Sequence, residues 1–235
     1  MSKPRALSLF SGLGGLDLGF TQVGFQVVEH VEIDSRFSAT LRRNSSALVR
    51  CMDIRDYDPS LLNVDFILGG PPCQTFSAAG RRASGASGIN DARGALFREY
   101  VRILKVLNPR GFLFENVYGI QGTNGGEAWR QIQRGFAESG YRLSWRILDA
   151  ADYGVPQHRE RMFIVGTKDE SFRFPRPTHG PDSIETRPFV TAQEAIADAS
   201  VTETESSARV NGKYGGLLEQ IPPGLNYSFF TEKMG

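Results

Sequence analysis

Several features that would assign a chain to a special class are scarce or missing in this sequence. It holds two cysteines, Cys51 and Cys73, in 235 residues. That is too few for a disulfide framework or a cysteine metal cluster, so a reducing, cytoplasmic compartment is expected. The three histidines, His30, His158 and His179, show no ligand spacing with each other or with the cysteines, and no metal site is expected. No apolar run approaches the roughly 18 residues of a spanning helix, and the start Met1-Ser-Lys-Pro-Arg5 carries no signal-peptide core. Neither sign of charge is in excess. With 27 basic and 26 acidic residues the net charge is +1, so composition alone announces no polyanionic partner. There is no internal repeat and no low-complexity block. What is present is an ordinary folded composition, 40% hydrophobic and 23% charged, long enough for a substantial core. Glycine is plentiful at 26 residues, which points to tight turns or close backbone approaches.

The first 165 or so residues alternate short apolar runs with helical periodicity, the pattern of βα units around a mostly parallel sheet. Strands are expected at Arg5 to Phe10, Gln26 to Ile33, Val64 to Leu68, Gly111 to Val117, Leu143 to Leu148 and Arg161 to Gly166. Leu96, Tyr100, Leu104 and Leu107 recur at helical spacing, as do Trp129, Ile132 and Phe136. The fold class is α/β, a doubly wound, mostly parallel sheet. The last two strand runs have no helical pattern between them and are expected to pair as an antiparallel edge. After Gly166 the texture becomes Pro-rich, then shows a short capped helix from Thr191, then turns polar. The expected division is a domain over 1–180 followed by 181–235, a linker and the start of an incomplete second region.

Four segments carry chemistry. Leu9-Phe10-Ser11-Gly12-Leu13-Gly14-Gly15-Leu16-Asp17 is a strand end, a glycine-rich turn and a helix start, where glycines let a ligand meet the backbone. Asp17 stands where a third glycine would complete a dinucleotide fingerprint, which weakens a pyrophosphate reading. Glu32 follows Gly12 by twenty residues at the next strand end, the place of an acid that grips ribose hydroxyls. Loop and acid together suggest an adenosine-type cofactor. Next, Gly69-Gly70-Pro71-Pro72-Cys73-Gln74-Thr75-Phe76-Ser77 fixes the backbone before a cysteine at the rim of the sheet, presenting its sulfur. Cys51, by contrast, reads as a buried small hydrophobe. Phe114-Glu115-Asn116-Val117 and Gln157-His158-Arg159-Glu160-Arg161 complete the set. Each taken singly is an ordinary strand end or charged turn. In this order they bring a thiol, a carboxyl and two guanidinium groups to one rim.

These ordered motifs, with Asp91-Ala-Arg-Gly-Ala-Leu-Phe97 between them, resemble those of the cytosine-C5 DNA methyltransferases over residues 5 to 167. The resemblance implies a Rossmann-like S-adenosylmethionine-dependent methyltransferase fold. It also implies methyl transfer from S-adenosylmethionine to C5 of a cytosine flipped out of double-stranded DNA, of the restriction-modification type. Cys73 would attack C6, Glu115 would hold N3 and the exocyclic amine, and Arg159 and Arg161 would place positive charge at O2. Carried over to the cofactor are Phe10 on the adenine face, Ser11, Gly12, Leu13, Gly14 and Gly15 around the methionine portion, Glu32 on the ribose and Ile33 on the ring. Asp53 and Ile54 would stand at the adenine edge, with Pro72 and Leu96 completing the wall. Gln74, Ser77, Arg81, Arg82 and Arg93 would face DNA, with 78–90 a lid that closes on it. The family's recognition domain and later motifs find no counterpart here, so a second subunit carrying them, or a truncation, is expected. Two relatives of the same fold stay open, an RNA-directed cytosine-5 methyltransferase and a non-catalytic homologue. A nicotinamide oxidoreductase would explain the glycine loop and Glu32 but would leave Pro71-Pro-Cys-Gln and Glu115 without roles.

Overall fold

The computed structural model describes residues 2–72, 95–117, 119, 126–198 and 215–222. They form two units: one of 1–150 with 159–176, the other of 151–158 with 177–235. The first unit contains a seven-stranded sheet. Its strands are β1 (Arg5–Leu9), β2 (Gln26–Glu32), β3 (Leu48–Cys51), β4 (Phe66–Gly69), β5 (Gly111–Val117), β6 (Arg142–Asp149) and β7 (Glu160–Thr167), in the order β3-β2-β1-β4-β5-β7-β6. All pairings from β3 to β5 are parallel, while β7 runs antiparallel to both β5 and β6. The expected antiparallel pairing of the last two runs is present, with β7 inserted one place in from the edge.

All six expected strands form, to within a residue or two at most ends, and a seventh, β3, joins them. Its four residues alternate too briefly to give an apolar run, and only Val49 is buried. Cys51 ends this edge strand and is exposed. The expectation that it is a buried small hydrophobe is therefore corrected: at an edge, only one face of a short strand meets the core.

Helices α1 (Gly15–Gln22) and α2 (Ser35–Asn44) cover one face of the sheet, and α3 (Ala95–Leu107) and α4 (Glu127–Ala137) cover the other. Adjacent residues of β4 show the two layers. Phe66 meets Phe20 of α1 with ring centroids 5.9 Å apart, while Ile67 points into the cluster under α3. That cluster is aromatic. Phe112 and Phe114 of β5, Tyr100 and Phe97 of α3 and Phe136 of α4 pack mostly edge to face, with centroids 4.5–6.0 Å apart. The Tyr100 hydroxyl satisfies itself by donating its one hydrogen between the carbonyls of Leu113, at 3.0 Å, and Ile67, at 3.3 Å. Helix α2 starts where Asp34 accepts the N–H groups of Arg36 and Phe37, and carries Arg42 and Arg43 in its last turn, where cations favour the helix dipole.

In the second unit, the N–H groups of Thr178 and His179 donate to Asp152 O, and His158 stacks edge-on against Phe189. The short helix α5 (Ala192–Ala195) forms at the expected place, with a reciprocal cap between Thr191 and Glu194. No helix among the described residues is long and apolar enough to cross a membrane.

Candidate active site

Parallel strands deliver their C-terminal ends to one rim. The pairs Leu9↔Val31, Leu9↔Gly69 and Gly69↔Phe114 align the ends of β1, β2, β4 and β5. Antiparallel β7 begins at the same rim, with Arg161 opposite Val117. Topology therefore gathers the glycine loop, Glu32, Gly70-Pro71-Pro72, Glu115 and Arg161, as ligand sites of open α/β sheets require.

On the β1–β2 side the backbone is shaped for a ligand. Phe10, Gly12 and Gly14 all have positive φ, at 55°, 55° and 83°. For Phe10 this is a strained conformation that only a constrained turn sustains. Gly14 sits at the N-cap of α1 without any side-chain cap, which leaves first-turn N–H groups available to an acceptor. A Cβ built on Gly12 or Gly15 would meet nothing within 4 Å, so the space above this loop is open. Leu13 and Ile33, on the loop and just after β2, are exposed, at 61% and 66%. Glu32 is buried, and its two oxygens accept the N–H of Gly12 and of Asp34, each at 2.8 Å. It thus braces the loop against β2 while each oxygen keeps a second lone pair for a hydroxyl. Ser11 turns inward, its Oγ donating to Ser8. Behind the loop, the buried Asp17 carboxylate lies 3.2 Å from His30 Nδ1, and His30 Nε2 lies 2.9 Å from Ser45 Oγ.

Asp53 begins a 3-10 turn over Ile54–Asp56. Arg55 grips its carboxylate with Nε at 3.0 Å and Nη2 at 2.5 Å, which holds the Asp53 carboxyl down to about 2. Ile54 is buried, and Leu96 packs against the same core.

On the β4–β5 side the arrangement is polar and close-packed. Glu115 Oε1 lies 3.0 Å from Arg161 Nε, and both side chains are about a quarter exposed. Burial pushes the Glu115 carboxyl up, against the opposing pull of Arg161 and Arg159. Arg161 Nη1 also donates to Glu160 O, and the Arg159 N–H donates to Asp149 Oδ1. Gly70 is shaped around this carboxylate, since a Cβ there would stand 2.7 Å from Glu115 Oε2. Asn116, buried beside Glu115, donates from Nδ2 to Pro71 O at 3.3 Å and accepts the N–H of Val117 at 2.8 Å. Pro71 is buried and Pro72 exposed. The chain thus reaches Pro72 along a path fixed by the end of β5.

Cys73, Gln74, Ser77, Arg81, Arg82, Arg93 and the expected lid 78–90 lie outside the described residues. The structure brings together Glu115, Arg161 and Pro72 at one part of the rim, and Phe10 to Gly15, Glu32, Ile33, Asp53 and Ile54 along another. Asn116 and Gly70 stand within the motifs of the sequence, but their contacts with Pro71 and Glu115 give each a role that the motifs alone do not. A glycine pair before two prolines was the one available signal for Gly70.

The profile of the family described as C-5 cytosine-specific DNA methylase matches residues 5–218. Among curated relatives, the type II methyltransferase M.FnuDI of Fusobacterium nucleatum is 45% identical over 178 residues, covering 74% of this chain and 51% of that protein. M.AquIA of Picosynechococcus sp. is 36% identical over 221 residues, covering 82% of this chain and 88% of that protein. The chain thus spans about half the length of M.FnuDI. Among solved structures, a prophage-encoded DNA modification methyltransferase of E. coli superposes with a TM-score of 0.64 at 27% identity, over 85% of this chain and 56% of that one. A DNMT2 variant of Spodoptera frugiperda shares the fold, with a TM-score of 0.59 at 24% identity over 74% of this chain and 56% of that one. The motifs, the sheet order and these likenesses agree: the chain belongs to the C-5 cytosine-specific DNA methylase family.

Proposed function

We propose that this chain is the catalytic part of a DNA (cytosine-5)-methyltransferase of the restriction-modification type, using S-adenosylmethionine. The observation that carries the reading is the Glu115–Arg161 pair at the rim, packed against Gly70 three residues before Cys73.

The residues present fit the cofactor. The open space over Gly12 and Gly15 would receive the methionine portion, Glu32 the ribose, Ile33 and Phe10 the ring, and Asp53 and Ile54 the adenine edge. When bound, S-adenosylmethionine supplies a methyl group on a sulfonium, an electrophile that unactivated cytosine C5 attacks too slowly. The chain's own groups supply the activation. The Cys73 thiolate adds to C6, and the electron pair of the C5–C6 bond is pushed toward N3 and O2. Glu115 donates a proton at N3, which its burial favours by keeping the carboxyl protonated to higher pH. Arg161, with Arg159 nearby in sequence, stabilises charge developing at O2. C5 then takes the methyl, a base removes the C5 proton, the Cys73–C6 bond breaks with return of the electron pair to sulfur, and N3 gives its proton back to Glu115. The cytosine must leave the duplex stack for these atoms to meet. Gln74, Ser77, Arg81, Arg82 and Arg93 would contact the DNA around it.

Target recognition and the family's later motifs would come from polypeptide outside these 235 residues, either a second subunit or a longer chain. The half-length match to M.FnuDI supports this. Transfer of labelled methyl groups tests the proposal, with duplex DNA and tRNA compared as acceptors. The chain should be assayed alone and with the part of M.FnuDI that it does not match, supplied as a separate polypeptide. Label in DNA cytosine is expected, with Cys73→Ala lowering turnover by roughly four orders of magnitude or more while cofactor binding persists. Label confined to tRNA would move the substrate to RNA, and turnover by Cys73→Ala would refute the thiol's role.

A further inference from the structure

The 3-10 turn Ile54–Asp56 closes with the Tyr57 N–H donating to Ile54 O at 3.2 Å, and the carbonyls of Ile54 and Tyr57 keep lone pairs for further donors. Arg102, on the second turn of α3, takes them up. Its Nη2 donates to Ile54 O at 3.1 Å and to Tyr57 O at 2.9 Å, while Nε is held by Glu99 Oε2 at 2.6 Å. The side chains of Ile54 and Tyr57 are 4% and 5% exposed, so the core pins the turn from within and the guanidinium holds its end. At the other end, Asp53 caps the turn by accepting the N–H of Arg55 at 2.9 Å. Three consecutive constraints therefore fix where Asp53 and Ile54 stand.

We infer that Arg102 is a positioning residue for the adenine end of the cofactor pocket, acting through this turn and not by touching the cofactor. The inference rests on the proposed placement of the adenine edge at Asp53 and Ile54. A planar guanidinium donating along two directions sets the spacing of two carbonyls, which an ammonium, a single compact charge, does not reproduce. Hydrogen-bond selection of a base edge is sensitive to small displacements of the selecting groups. The signature of Arg102 is therefore discrimination between purine edges, distinct from a general loss of fold.

The test is calorimetric binding of S-adenosylhomocysteine and S-inosylhomocysteine, which differ at the purine 6-position, to the full chain as wild type, Arg102→Lys and Arg102→Met. Thermal unfolding midpoints are measured alongside. The wild type is expected to prefer the adenosyl ligand. Arg102→Met should bind it about tenfold more weakly and lose most of the preference, with Arg102→Lys intermediate. Equal weakening of both ligands, or unchanged affinity whether or not the midpoint falls, would overturn the inference. If Arg102→Met does not fold, an undiminished preference in Arg102→Lys does the same. A wild type that binds neither ligand defeats the cofactor reading and this inference with it. Wild-type binding with indifferent variants defeats the inference alone.

Discussion

Glu115 shows how a single residue is given its chemistry by its neighbours. Arg161 at 3.0 Å favours the carboxylate, yet withdrawal from water outweighs it and the carboxyl is raised. A raised folded-state value has a definite consequence for stability. In the window between the ordinary carboxylate value and the raised one, the unfolded chain ionises first, so the native state loses stability as pH rises. Above the raised value the loss is complete. Glu115→Gln lacks this titration, so its stability relative to wild type should climb with pH through that window and level off above it, measured by denaturant midpoints across pH. A flat difference would show that the Arg161 pairing cancels the effect of burial, and one of opposite slope that it dominates; either contradicts the raised value. Methyl transfer should lose a matching pH-dependent limb in the variant and fall by about 10²- to 10⁴-fold. At this scale the sequence was partly legible. Glu115, Arg161, Glu32 and the glycine loop could be named because their motifs are local in the chain. The roles of Gly70 and Arg102 were not legible, because what each does depends on a partner brought from a distant segment: Glu115 Oε2 in one case and the carbonyls of Ile54 and Tyr57 in the other.

Among the elements, the strands rich in Val, Ile, Leu and Phe were legible because a fully covered parallel strand must be a continuous apolar run. β3 was not, since an edge strand of four residues with one buried side chain leaves no such run, and Cys51 was misplaced for the same reason. The two helices on the α3 face announced themselves by apolar spacing that ends in one aromatic cluster. Phe136 shows what that spacing contributes. Fully buried, its ring centroid lies 4.5 Å from that of Phe112, 5.3 Å from Phe114 and 5.1 Å from Phe97. Phe136→Ala should destabilise the fold by about 3–5 kcal/mol, since little else is free to fill the space. Denaturant unfolding is the check, and a loss below about 1 kcal/mol would mean that α4 is not anchored through this ring. Because β5 carries Phe112 and Phe114 into the cluster and Glu115 and Asn116 to the rim, the same strand joins stability to chemistry.

For the molecule as a whole, a net charge of +1 announces no nucleic-acid partner. The family match over residues 5–218 and the half-length overlap with M.FnuDI put that in proportion. A catalytic sheet needs charge only at its rim, and a recognition part supplied by other polypeptide would carry much of the phosphate contact. The central claim is a covalent bond between Cys73 and C6 of a cytosine that is then methylated at C5. In a duplex whose target cytosines carry fluorine at C5, methylation leaves no proton to remove, so the Cys73–C6 bond should persist. The most direct measurement is denaturing electrophoresis and peptide mass analysis after incubation with that duplex and S-adenosylmethionine, with the part of M.FnuDI that this chain does not match present as a separate polypeptide. The account predicts an adduct on the peptide containing Cys73, heavier by one methylated strand and absent in Cys73→Ala. Methylation of ordinary DNA without any such adduct, or an adduct on another residue, would contradict it.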